Sequence, residues 1–140
     1  MGAALAAAGC GFRPLYGEDG EAAALAGAVA LEGVEGREGF VFRRRLRQRL
    51  GDPDRAAPWL LEVRLRLRRS GLAISEEAQI TRYDVIGRAE YALRRRGAGG
   101  AAATSGEVEA MSAYSTLAAP YATLQARRDA ERRVAEDLAD

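Results

Sequence analysis

The most regular pattern in the chain is the alternation in WLLEVRLRLRRSG, residues 59–71. Leu61, Val63, Leu65 and Leu67 fall in one phase, and Glu62, Arg64, Arg66 and Arg68 in the other. Side chains alternate faces along a strand, so this segment predicts a strand with one buried and one polar face. Residues 82–96 repeat the pattern through Tyr83, Val85, Tyr91 and Leu93, and residues 103–115 through Val108, Ala110 and Tyr114. The GAGG turn at 97–100 separates these two segments, and together the three predict an antiparallel meander. A shorter strand is predicted over residues 28–34, where Val29 and Leu31 share a face.

Between the short strand and the meander the period changes. Phe42, Leu46 and Leu50 recur every fourth residue, one stripe of an α-helix, and Arg43, Arg44, Arg45, Arg47 and Arg49 occupy the remaining surface. Gly51 followed by Asp52-Pro53 is a stop signal, and arginines near the end suit the helix dipole. Leu46, mid-stripe, is expected to pack on Leu65 or its neighbours. Residues 120–140 predict a second helix. Pro120 suits its first turn, Leu124, Val134 and Leu138 supply apolar contacts, and Ala126 and Ala130 lie between. Asp129–Arg133 and Arg132–Glu136 are spaced as i, i+4 ion pairs. The predicted fold class is α+β: a four-stranded sheet in the order β-α-β-β-β-α, with two helices packed on one face.

Composition narrows the functional classes. The 140 residues, 48% hydrophobic and 29% charged, suit one globular domain with a real core. No stretch reaches the roughly 18 apolar residues of a membrane-spanning helix. A net charge of +1 argues against nucleic acid as a partner. All 21 basic residues are arginine, and a GC-rich coding sequence accounts for that bias. Guanidinium forks nevertheless pair bidentately with phosphate and carboxylate. With no histidine, the usual general base, the Ser-His-Asp arrangement and most zinc sites are missing. GAGG lies between strands and cannot serve as a phosphate loop before a helix. Glu76–Glu77, in a strand-to-strand turn, reads as solvated charge. The reading is a protein that is not an enzyme, with no metal site.

The single cysteine, Cys10, lies in LAAAGCGFRPLYG, residues 5–17. It could be a nucleophile, a small apolar filler or a site of lipid attachment. Leu5 and the run Ala6, Ala7, Ala8 form the tail of an apolar segment, and Gly9 before Cys10 is the small-residue pattern a signal peptidase reads. The stretch resembles the lipobox of bacterial lipoproteins, whose cysteine becomes the acylated first residue. On this reading residues 1–9 are the remnant of a signal peptide that starts upstream of Met1. Residues 10–26 form a lipidated N-terminus and linker, or an arm docked through Phe12, Leu15 and Tyr16. Residues 27–140 form a single α+β periplasmic domain. No cofactor is expected beyond the covalent lipid on Cys10.

Three features then act together: Cys10 followed at once by GFRPLYG, the arginine-rich first helix, and ITRYDVIGRAEYAL with SAYSTLAAPYATLQARRDAERRVAEDLAD. From Cys10 to Asp140 they resemble the lipopolysaccharide-assembly lipoprotein family LptE in its alphaproteobacterial form. The resemblance implies an outer-membrane lipoprotein on the periplasmic side, seated as a plug in the β-barrel of its partner LptD. It further implies a role in that barrel's assembly and in lipopolysaccharide transport and binding. The family associates binding with basic positions at the turn between the second and third strands and near the start of the last helix. Here the turn, SEEAQ, is acidic, so the resemblance points to Arg82 as the nearest basic residue there, and to Arg127 and Arg128 in the helix. These arginines also read as solvated surface or as partners of Glu131. Two other functions stay open on the residues alone: a generic periplasmic lipoprotein that scaffolds the envelope or binds lipids or peptides, and a thiol enzyme using Cys10.

Overall fold

The computed structural model describes residues 25–74, 80–97 and 99–140. Cys10, the arm residues Phe12, Leu15 and Tyr16, and the Glu76–Glu77 turn lie outside them. The elements are β1 (Val29–Glu32), α1 (Gly36–Leu50), β2 (Trp59–Ile74), β3 (Ile80–Arg95), β4 (Thr104–Ser115) and α2 (Pro120–Ala139). They follow the predicted order. The strands form one sheet in the spatial order β1-β2-β3-β4. The β2-β3-β4 meander is antiparallel as expected. β1 instead pairs parallel to β2, from Val29 opposite Trp59 to Glu32 opposite Glu62. The sheet is therefore mixed. A parallel pair cannot be joined by a tight turn, and α1 is the crossover that makes the pairing feasible.

The core lies between one face of this sheet and both helices. Val63, Val85 and Ala89 from the sheet pack with Phe42 of α1 and with Ala130, Val134 and Leu138 of α2. Leu46 and Leu65 are both partly buried against this cluster, as the phasing of the helical stripe requires. Gly51, at φ 76°, ends α1, and Ala119 enters α2 in an extended conformation with Pro120 in its first turn. Helix α2 approaches the sheet closely at Gly87. A Cβ there would collide with Val134 Cγ1 and lie 2.9 Å from Leu138 Cδ1. Only glycine lets α2 come this close to β3.

One expectation for β4 does not hold. Tyr114 is buried, but Val108 is 40% exposed although it shares Tyr114's phase. β4 is an edge strand, and the bonds that tie α2 to it lie near its C-terminal end. There Arg133 donates from Nε to Ser112 Oγ at 3.0 Å and from Nη2 to the Ala113 carbonyl at 3.2 Å.

Candidate functional site

Most arginines of α1 that face α2 serve to join the two helices. Arg45 grips Asp140 bidentately, Nε to Oδ1 at 2.6 Å and Nη2 to Oδ2 at 2.9 Å, and Arg49 Nε adds a third bond to Oδ1 at 2.9 Å. These guanidinium bonds hold the Asp140 carboxyl far below the usual carboxylate range. Arg44 reaches Glu136 at 3.3 Å, and Arg43 donates to the Val34 carbonyl at 2.7 Å. The arginine-rich helix is thus largely an architectural feature.

The predicted ion pairs of α2 are also present. Asp129 pairs with Arg133 and Arg132 with Glu136. Asp129 is bound by Arg132 as well, and the Arg132 hydrogen bond is the main reason its carboxyl is shifted down. Arg127 Nε lies 3.6 Å from Glu131, too far for a hydrogen bond, and it has no other partner among the described residues. Arg128, beside it, is exposed.

Arg82 lies elsewhere. It is exposed near the start of β3, in phase with Asp84, Ile86 and Arg88 and out of phase with the core residues Tyr83 and Val85. That phase is the side of the sheet away from the helices. The start of β3 does adjoin the lead into α2, because Thr116 N donates to the Thr81 carbonyl at 2.9 Å. Arg127 and Arg128 are about two turns further along α2, roughly 10 Å of helix, and on the other side of the sheet. The structure places Arg127 and Arg128 together and sets Arg82 apart from them.

The open side of the sheet is the more concentrated array of charge. Strand alternation puts Arg64, Arg66 and Arg68 on it from β2, and the register sets Arg66 directly opposite Arg88 and Arg68 opposite Ile86. Arg88 is held by Glu107 at 3.2 Å and Glu109 at 2.7 Å, and these carboxylates raise its pKa. Arg94 pairs with Glu62 at 3.3 Å. A groove of about 580 Å³ is lined by Arg66, Leu67, Arg68, Ile86 and Arg88. The alternation of β2 already marks its polar face, but which arginines meet across strands depends on register, which one strand does not reveal. Among the described residues no group of three His, Cys, Asp or Glu side chains could hold a metal ion, and no helix is long and apolar enough to cross a membrane.

Fold and surface together define a two-layer α+β domain with its helices on one face and an arginine-rich open face on the other. The chain belongs to the LptE lipopolysaccharide-assembly family, whose model matches residues 26–140. Solved structures share its fold. A lipoprotein from Caulobacter crescentus superimposes with a TM-score of 0.60 at 22% identity, over 81% of this chain and 82% of that one. Rare lipoprotein B from Shewanella oneidensis gives 0.58 at 18% identity, over 81% and 86%. A minor lipoprotein from Acinetobacter baumannii gives 0.58 at 18%, over 79% and 81%. No curated protein matches the chain.

Proposed function

We propose that this protein is an outer-membrane lipoprotein, anchored through acylated Cys10, that pairs with an LptD-like β-barrel and takes part in lipopolysaccharide transport and insertion. The observation that carries this reading is the family match over residues 26–140. Its fit to the molecule rests on two further points. The domain has a complete core of its own, so it can act as a compact body beside or within a partner. About sixteen residues separate Cys10 from the domain, and at roughly 3.3–3.6 Å per residue they reach up to about 55 Å from a membrane. Each buried acyl methylene contributes about 0.8 kcal/mol, so two or three chains hold the protein at the bilayer.

Fractionation tests the anchor. Cys10→Ala should leave the domain folded and release it into the soluble fraction; a variant that stays with the membrane shows that the lipid is not the main tether. Of the proposed lipopolysaccharide-binding residues Arg82, Arg127 and Arg128, a capture assay tests the two exposed ones. Reversing Arg82 and Arg128 to Glu should weaken capture without unfolding the domain, since both side chains are exposed. Unchanged capture by the folded double variant removes these positions from the site.

A further inference from the structure

We infer that the groove on the open face of the sheet, between Arg66, Arg68 and Arg88, binds the phosphate group of an amphiphile. Three observations converge on it. Arg66 and Arg88 stand directly opposite each other across β2 and β3, a like-charge pairing that is destabilising when nothing else intervenes. Arg88 is neutralised by Glu107 and Glu109. Arg66 has only Glu90, at 3.8 Å, and Arg68 has no carboxylate partner among the described residues. Two guanidinium forks therefore share one groove with donors left over.

The third observation is the groove's apolar part. Ile86 lies between the arginines in the lining, and its partner on β4 is Met111, which is 63% exposed. A free inorganic anion would use the arginines and leave this apolar strip in water. A phosphate joined to a hydrocarbon body would use both. Phosphate suits the site better than a single carboxylate because its several oxygens can accept from two forks at once, as charge-assisted bonds. Arg88, held in place by its carboxylates, bounds the groove, and Arg66 and Arg68 are the donors with capacity to spare. The inference deepens the lipopolysaccharide reading, and rests on it only for which phosphorylated amphiphile the groove meets in the cell.

Vesicle flotation tests it with the full 140-residue chain carrying Cys10→Ala, so that no acyl anchor contributes. The chain should float with phosphatidylcholine vesicles containing phosphatidic acid, and far less with phosphatidylcholine alone or with oleate added. Arg66→Glu with Arg68→Glu should weaken flotation by roughly tenfold or more, the scale of losing one or two charge-assisted hydrogen bonds. If that pair disturbs folding, Arg66→Lys with Arg68→Lys keeps the charge, removes the forks and should still weaken it. Equal flotation of the folded variants, or equal flotation with oleate and phosphatidic acid, overturns the proposal. Flotation with none of the vesicles also overturns it and leaves the groove to an acidic protein segment. The assay contains neither barrel nor lipopolysaccharide, so its failure leaves the barrel partnership standing, and loss of that partnership leaves a positive flotation result intact.

Discussion

Gly87 decides how closely the two layers meet. Its missing side chain is replaced by Val134 and Leu138 from α2, so even a methyl group there must push the helix away. Ala is ordinarily no worse than Gly in a strand, yet Gly87→Ala should destabilise the domain by about 1–3 kcal/mol through overpacking. Gly99, with nothing within 4 Å of its ideal Cβ, is the control, and Gly99→Ala should be nearly neutral. Denaturant midpoints of the two variants make the comparison, and equal midpoints would mean that α2 does not rest on β3. A second contrast separates packing from charge on α1. Leu46 is packed against the core cluster, and truncating a buried Leu to Ala costs ~2–5 kcal/mol. Leu46 is only partly buried, so its loss should fall near the lower end. Arg44, half exposed in its pair with Glu136, should cost well under ~1 kcal/mol when changed to Ala.

At the scale of elements, the two helices pack through the shared core, and Asp140 bridges them further through its bonds to Arg45 and Arg49. The Asp140 carboxyl ordinarily titrates near 3.8 and is held far below that in the fold. A depressed carboxylate stabilises the native state above its unfolded pKa and loses that contribution as pH falls below it. Asp129, also shifted down, acts in the same direction. Asp140→Asn should therefore flatten the fall in thermal stability between neutral pH and about pH 2–3, without abolishing it. A variant whose stability falls as steeply as the parent's would show that the Asp140 bonds do not form in solution. How much was legible at this scale differs by element. The alternation of β2 and the four-residue stripe of α1 are local, and each is visible in its own segment. The parallel pairing of β1 and the Arg45–Asp140 contact are not, the latter because it joins residues 95 positions apart. Val108 shows the same limit in reverse, since its phase is right but its exposure is set by where α2 ends up.

For the whole molecule, the two faces divide the work. Helices and core make a stable body, and α1's arginines are largely used in holding that body together. The arginines not used in this way include Arg66 and Arg68 of the open sheet face and the exposed Arg82 and Arg128. In the sequence the sheet-face arginines read only as polar surface, and Arg82, Arg127 and Arg128 stand out through the family resemblance alone; the shared groove of Arg66, Arg68 and Arg88, and the separation of Arg82 from Arg127 and Arg128, come from sheet register and helix placement. The central claim is that this body works in lipopolysaccharide assembly as the partner of a barrel. The most direct test is affinity purification of the tagged protein from detergent-solubilised outer membranes, with mass spectrometry of what accompanies it. The account predicts that a large outer-membrane β-barrel protein of the LptD type copurifies in near-equal amount. Recovery of the protein from that membrane fraction without any such barrel would contradict it.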